Sequence, residues 1–98
     1  MTITERRNGE TLTVALEGRL DTLSAPELDA FLNKYYPSTS KLIFDFANLD
    51  YISSSGLRVV LKAQKAMQDK GGITIKNANK LVMGVFTVTG FDSIFRFE

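Results

Sequence analysis

The chain has 98 residues, of which 44% are hydrophobic and 23% charged; this predicts one folded domain over residues 1–98 and excludes a disordered or fibrous protein. The net charge of +1 gives no global field that favours nucleic acid, and no apolar run has the length of a membrane span or a secretory leader. Direct nucleic-acid contact, membrane insertion and export are therefore not expected, and the absence of cysteine agrees with a cytoplasmic location.

The first predicted elements are two strands joined by a tight hairpin. Residues Ile3–Arg7 and Thr11–Glu17 flank Asn8-Gly9, a dipeptide typical of two-residue hairpin turns. The second strand alternates apolar residues toward one face, which we expect to be buried: Leu12, Val14 and Leu16.

A helix is predicted next. Ser24 precedes Glu27 by three residues, which is the spacing of a capping box, and Pro26 stands in the first turn. Pro37 is expected to end the helix. Apolar residues recur at helical spacing between these signals: Leu28, Phe31, Leu32 and Tyr35.

The run Leu42–Phe46 predicts a third strand that is apolar on both faces except at Asp45. Such a strand is either covered on both sides or placed beside a parallel neighbour. We expect the Asp45 carboxylate to pair with a basic side chain or to reach an edge of the sheet.

The longest predicted helix covers about Ser54–Lys70 and ends at Gly71-Gly72, which favours a left-handed cap. Its two faces differ in character. The core stripe is predicted to be Leu57, Val60, Leu61 and Met67, and the solvated face Arg58, Lys62, Lys65 and Asp69.

The remaining elements alternate in the same way. Ile73–Ile75 predicts a strand, Asn79 is placed to cap a third helix, and Thr89-Gly90 turns the chain into a short strand at Ile94–Phe97. The third helix carries the apolar residues Leu81, Val82, Val85 and Phe86. The order ββαβαβαβ predicts an α/β fold: a mixed, mostly parallel β-sheet with three or four helices packed against it and the first strand near an edge.

Three consecutive serines stand where the third strand passes into the second helix: Ser53, Ser54 and Ser55. Unpaired backbone N–H groups and the positive end of the helix dipole favour negative charge at such a place, so a phosphate would be stabilised there. A serine at a helix start also serves simply as a cap, and the residues alone leave both roles open.

Enzyme chemistry is not expected. The chain has no histidine, so it lacks the usual base for a serine nucleophile and the imidazole ligand of zinc. The serines lack the leading glycine of a Gly-x-Ser-x-Gly elbow, and Gly71-Gly72 matches no nucleotide-binding loop. The sequence predicts a binding domain with no metal and no cofactor.

Four short segments occur in a characteristic order and spacing: Gly18-Arg19-Leu20-Asp21, Ala25-Pro26-Glu27-Leu28, Ile52-Ser53-Ser54-Ser55-Gly56-Leu57 and Thr89-Gly90-Phe91-Asp92-Ser93-Ile94-Phe95. Together they resemble the STAS domain family, and specifically the bacterial anti-sigma factor antagonists. The resemblance covers nearly the whole chain.

The resemblance implies a phosphorylation switch at Ser54, with Asp21 close to the acceptor. Family members commonly have Asp where this chain has Ser53, so Ser53 and Ser55 are competing acceptors. The implied partners are an anti-sigma factor that is a serine kinase, bound in the unphosphorylated state so that a sigma factor is freed for transcription, and a serine phosphatase. The implied partner-binding residues are Asp21, Ser53, Ser54, Ser55, Gly56, Leu57 and Arg58.

A second function from another class stays open. The chain could be a STAS scaffold subunit of a lipid or anion transport assembly, in which the serines only cap the helix and are never phosphorylated. The absence of an acidic residue at Ser53 favours this alternative.

Overall fold

The structure, a computed structural model, describes residues 1–98, and its elements follow the predicted order. The strands are β1 (Thr2–Asn8), β2 (Thr11–Leu20), β3 (Lys41–Ile52), β4 (Ile73–Lys76) and β5 (Arg96–Phe97). The helices are α1 (Ala25–Tyr35), α2 (Ser54–Met67) and α3 (Lys80–Val88), and a single 3₁₀ turn, Tyr36–Ser38, follows α1.

The five strands form one sheet in the sequential order β1-β2-β3-β4-β5. Only β1 and β2 are antiparallel, and every later neighbour is parallel. Parallel neighbours require a crossover, and each of the three crossovers contains one α-helix. The predicted α/β class, the mixed sheet and the edge position of the first strand are confirmed.

The core lies between the helices and one face of the sheet. In β2 and β3, residues buried against the helices alternate with residues that are only half-buried. The buried set on these two strands includes Leu12, Val14, Leu16, Leu42, Phe44 and Phe46. Two explanations were open for the apolar residues of β3. The strand does lie beside parallel neighbours, β2 and β4. It is not covered on both faces, since only one face is fully buried. Ile43 lies on the half-buried face, where it pairs with Thr13 and Thr74 rather than packing under a helix.

The structure corrects three details of the sequence-based prediction. Helix α2 ends at Met67 rather than Lys70, and only Gly72 has a left-handed φ, of 76°. The Asp45 carboxylate accepts hydrogen bonds from the Ala47 N–H and the Asn77 side-chain amide, at 3.0 and 3.1 Å, and so needs no basic partner. Leu81 points outward and is 60% exposed.

The predicted cap of α3 is confirmed, and it has a second role. The Asn79 side-chain oxygen accepts a hydrogen bond from the Val82 N–H at 2.8 Å, while its amide nitrogen donates to the Leu49 carbonyl oxygen at 2.9 Å. One side chain therefore starts α3 and ties it to β3. The helices of the fold all lack the length or the apolar character needed to cross a membrane.

Substitutions at Asn79 should separate these two roles. Asn79→Ala removes the cap and the hydrogen bond to the Leu49 carbonyl oxygen, so the free energy of unfolding should fall by about 1–3 kcal/mol. Asn79→Asp keeps the capping oxygen and loses only the donor, so we expect about half that loss. Urea denaturation measures both, with Asn33→Ala on the exposed side of α1 as a control. An equal loss for the two Asn79 variants would contradict a capping contribution.

Candidate functional site

The parallel pairing of β2 and β3 brings two distant segments together. Leu20 at the end of β2 pairs with Ile52 at the end of β3, and the next N–H along, that of Ser53, donates to the Leu20 carbonyl oxygen at 2.9 Å. The turn that begins at Asp21 therefore lies beside the serine junction at the carboxyl ends of two parallel strands, where α/β sheets commonly bind ligands.

The three serine hydroxyls have different environments. Ser53 is the N-cap of α2: it is extended, and its Oγ accepts the Gly56 N–H at 3.2 Å. The Ser55 Oγ lies 3.4 Å from the Thr22 Oγ1, across the two segments. Ser54 is exposed, and its hydroxyl makes no hydrogen bond within the chain. Of the three, only the Ser54 hydroxyl is uncommitted.

The backbone around these hydroxyls is suited to an anion. The N–H groups of Ser54 and Ser55 begin α2, and no acceptor within the chain binds them. Together with the helix dipole, these free donors stabilise negative charge. Arg58 lies one helical turn after Ser54 and is exposed, so it adds a cation on the same side of α2.

Gly56 and Leu57 lie beneath the surface. A Cβ at Gly56 would come within 2.9 Å of the Leu20 carbonyl oxygen and 2.6 Å of the Leu20 Cγ, closer than real Cβ contacts. Leu57 is only 4% exposed and belongs to the core. Gly56 and Leu57 therefore pack α2 against the rest of the fold. Both belong to the predicted partner-binding set, but they are buried and a partner would not contact them.

Asp21 organises the facing turn. Its carboxylate accepts hydrogen bonds from the N–H groups of Leu23 and Ser24, at 3.0 and 3.1 Å. The pKa of Asp21 is held below its ordinary value of 3.8, and the largest cause is the hydrogen bond from the Ser24 N–H. The Ser24 hydroxyl, the Leu23 N–H and the Arg19 guanidinium lower the pKa further, and together these effects outweigh desolvation, which raises it. The turn is therefore held by an ionised side chain.

The predicted capping box at Ser24 is wrong. The Ser24 side chain makes no capping bond; its hydroxyl instead donates to the Arg19 carbonyl oxygen at 2.7 Å and accepts the Asp21 N–H at 2.9 Å. The turn before α1 competes for the hydroxyl, because Ser24 is buried against it.

Sequence reasoning missed four residues at this site. Arg19 lies with its guanidinium 4.4 Å from the centre of the Tyr51 ring and 3.9 Å from the Asp21 carboxylate. Thr22 contacts Ser55, and Leu23 is 90% exposed in the middle of the turn. An apolar residue among the polar residues of a turn was the available signal for Leu23, whereas the Arg19–Tyr51 contact depends on strand pairing.

A shallow groove of about 440 Å³ runs from the junction between α1 and α2. Thr22 and Ser55 line one end, and Arg58 lies along its wall. At the other end Lys62 forms an ion pair with Asp29, with 3.0 Å between the nitrogen and the nearer oxygen. No three His, Cys, Asp or Glu side chains come together in a way that could hold a metal ion.

The comparison with protein families gives one match that covers nearly the whole chain. The model described as "Mlab, STAS domain" matches residues 3–96. A candidate anti-sigma factor antagonist of Bordetella bronchiseptica, BtrV, is 36% identical over 86 residues. The matched region is 86% of this chain and 74% of BtrV.

Solved structures agree with this match at the level of the fold. The anti-sigma factor antagonist SpoIIAA in its unphosphorylated form superposes with a TM-score of 0.86 at 21% identity, over 99% of this chain and 88% of that one. The Bacillus cell fate determinant SpoIIAA in its phosphorylated form gives a TM-score of 0.78 at 20% identity, over 99% of this chain and 91% of that one.

The close approach at Gly56 makes a prediction with an internal control. Gly56→Ala should lower the free energy of unfolding by roughly 1–3 kcal/mol, because the new methyl group collides with Leu20. Gly84→Ala, within α3, meets nothing within 4 Å and should raise it by about 0.5–1 kcal/mol through helix propensity. Chemical denaturation of the two variants measures both, and stabilisation by Gly56→Ala would rule out the tight contact.

The lowered pKa of Asp21 predicts a dependence of stability on pH. Because the folded pKa is below the unfolded one, the ionised carboxylate stabilises the fold above about pH 4. This contribution is lost as the pH falls through the folded pKa. Asp21→Asn should therefore show a smaller loss of stability between neutral and acidic pH. An NMR titration of the Asp21 carboxyl carbon checks the cause, and a midpoint at or above 3.8 would refute it.

Proposed function

The chain belongs to the STAS domain family of anti-sigma factor antagonists, and from this premise we propose that it acts as a phosphorylation-controlled binding switch. Unmodified, it binds an anti-sigma factor that is also a serine kinase and so frees a sigma factor for transcription. Phosphorylation of Ser54 by that kinase releases it, and a serine phosphatase resets the switch.

The free hydroxyl of Ser54 is the observation that carries this proposal. The hydroxyl of Ser53 is engaged as a helix cap, and that of Ser55 faces Thr22. A kinase that approached the junction could take Ser54 without breaking a hydrogen bond of the fold, whereas phosphorylation of Ser53 would remove the cap of α2. This difference favours Ser54 over its two neighbours as the acceptor.

The same geometry predicts that phosphate is accommodated without rearrangement. Two unpaired N–H groups and the dipole of α2 lie beside the acceptor, and this arrangement contributes about 0.3–1 kcal/mol toward a bound anion. Phosphorylation should therefore leave α2 intact. Release must then arise at the surface of the partner.

Electrostatic repulsion is sufficient for release. A phosphoserine adds about −1.5 to −2 charges at neutral pH. At about 5 Å from one carboxylate of the partner, the repulsion is roughly 1–7 kcal/mol between the dielectric limits of water and of a protein surface. Most of this range exceeds the 1.4 kcal/mol or so that a tenfold loss of affinity requires.

The surface beside Ser54 has the features of a contact region. Leu23 is 90% exposed, and its backbone is fixed by the hydrogen bond from its N–H to the Asp21 carboxylate. Because the backbone is already ordered, covering this apolar side chain costs little backbone entropy. We infer that the partner contacts Asp21, Leu23 and Arg58 around the acceptor.

The scaffold function remains the second candidate, and Ser53 favours it. The start of α2 is stabilised without phosphate, because Ser53 caps the helix and Gly56 allows it to pack closely against Leu20. A subunit of a lipid or anion transport assembly would need nothing more from these residues. In that case Ser54 would stay unmodified in the cell.

Phosphate incorporation tests the switch. After incubation with ATP and a lysate of the source organism, intact mass should increase by one phosphate, and Ser54→Ala should abolish the increase. Ser54→Ala should leave the free energy of unfolding nearly unchanged because its hydroxyl is unbonded, whereas Ser53→Ala should lower it by about 0.5–2 kcal/mol. A label that maps to Ser53 or Ser55 would show that the acceptor is assigned wrongly.

Calorimetric titration against the purified kinase then tests release. Ser54→Ala should bind like the unmodified chain, Ser54→Asp more weakly, and phosphorylated protein at least about tenfold more weakly with an unchanged circular dichroism melt. Equal affinity for phosphorylated and unmodified protein would leave the scaffold function as the better explanation. A collapsed melt would mean that phosphate acts through the fold.

A further inference from the structure

A second and larger groove lies on the other side of α2. It has a volume of about 600 Å³ and runs between α2 and the turn that follows α3. The proposed switch makes no use of it. This surface contains Phe91 and Ile94, two residues of the segment Thr89–Phe95 for which the serine junction gives no role.

The floor of the groove is apolar and rigid. It is formed by Leu61 of α2 with Phe91 and Ile94, and Ile94 is 44% exposed. The turn is held by the Phe91 N–H, which donates to the Phe86 carbonyl oxygen at 2.9 Å, and by the Ile94 N–H, which donates to the Phe91 carbonyl oxygen at 3.2 Å. The groove is therefore preformed, which lowers the entropic cost of filling it.

The rim of the groove is positively charged. Arg58, Lys62 and Lys65 line it, and no carboxylate does. Lys62 is paired with Asp29, but Arg58 and Lys65 form no salt bridge. Two cations without partners therefore stand about 10 Å apart along α2, at a rise of about 1.5 Å per residue.

One buried polar atom in the groove also lacks a partner. The side-chain oxygen of Gln64 is shielded from solvent and accepts no hydrogen bond, and Gln64 lines the groove. Buried acceptors are nearly always paired in folded proteins. A small rotation of the Gln64 side chain would bring this oxygen to the surface of the groove, where an N–H or O–H of a ligand would satisfy an acceptor that the chain itself leaves free.

We propose that this groove binds an acidic segment of a partner protein. An apolar side chain of the segment packs between Phe91 and Ile94, carboxylates on either side of it pair with Arg58 and Lys65, and a donor reaches the Gln64 oxygen. The spacing of the two free cations suits carboxylates distributed along a peptide better than the single charge of a lipid headgroup. Charge complementarity thus selects the occupant.

This interaction adds a contact surface to the proposed switch and does not depend on it. Arg58 lines both grooves, so the second surface is continuous with the serine junction. The groove needs no phosphate, and Ser54 does not line it. If the groove bound no peptide, the proposed phosphorylation switch would be unaffected. If Ser54 were not phosphorylated, the proposed function of the groove would be unaffected.

Selection from a random peptide library displayed on phage, against the full unmodified chain, tests the proposal. The enriched peptides should combine Asp or Glu with Leu, Ile or Phe. A resynthesised peptide should lose affinity as salt is raised, because exposed charges are screened. In NMR spectra of the chain, its addition should shift the amide signals of Arg58, Lys65 and Ile94, and the Gln64 side-chain amide.

Two matched pairs of variants locate the site. Ile94→Asp should weaken peptide binding roughly 30-fold or more, the size of an interface hot spot, whereas Val88→Asp, also at an exposed apolar residue, should not. Lys65→Glu should weaken it about tenfold or more, whereas Lys34→Glu should not. Lys65 and Lys34 each stand in the last turn of their helix, so both variants perturb the helix dipole alike. Thermal melts confirm that all four variants fold.

Several outcomes would overturn the proposal. Enrichment of basic or uncharged peptides, no enrichment, or equal binding by Lys65→Glu and Lys34→Glu would each refute an acidic occupant at this groove. Vesicles of phosphatidylcholine with and without phosphatidylglycerol test whether the groove binds an anionic membrane surface. Binding to the anionic vesicles that is lost in Ile94→Asp, without peptide binding, would assign the groove to a membrane surface instead.

Discussion

The close parallel contact between the ends of β2 and β3 is the constraint on which the rest of the structure depends. The Ser53 N–H donates to the Leu20 carbonyl oxygen, and Gly56 packs directly over the same residue. A slip of one residue in this pairing would move the side chains of a whole strand to the opposite face. The contact thus sets the start of α2, the burial of Leu57 and the position of the Asp21 turn beside the serines.

The three serines at the start of α2 have different roles. Ser53 caps α2, Ser55 faces Thr22, and Ser54 projects into solvent. The division matters for the proposed switch because modification of the exposed hydroxyl costs the fold no hydrogen bond. Phosphorylation would then change the charge of this surface without changing the fold, and the partner would respond to the charge alone.

Helix α2 connects the two surfaces that we assign to partners. Its first turn forms the serine junction, and its outer side forms the wall of the groove that contains Phe91 and Ile94. Arg58 belongs to both surfaces. A phosphate on Ser54, one helical turn before Arg58, would compete with an acidic segment for the Arg58 guanidinium.

Local signals in the sequence were enough to predict several elements. The hairpin near Asn8-Gly9 was predicted correctly, although its two-residue loop is Gly9-Glu10, because Asn8 pairs with Thr11. Asn79 caps α3, Pro37 follows the end of α1, and the alternation in β2 identifies its buried face, because each depends on bonds or spacings within a few residues. The serine junction was located for the same reason, as a polar run between an apolar strand and an amphipathic helix.

The partner of each polar group, by contrast, depends on how the elements pack together. The Ser24 hydroxyl was expected to cap α1, yet it donates to the Arg19 carbonyl oxygen in the turn before that helix. Asp45 pairs with Asn77 instead of a cation. The Arg19–Tyr51 contact and the groove floor join residues from separate elements. Such choices depend on strand register and helix placement, which bring together groups that no local pattern relates. The family resemblance pointed to Ser54, but the folded chain was needed to show that its hydroxyl is free while those of Ser53 and Ser55 have partners.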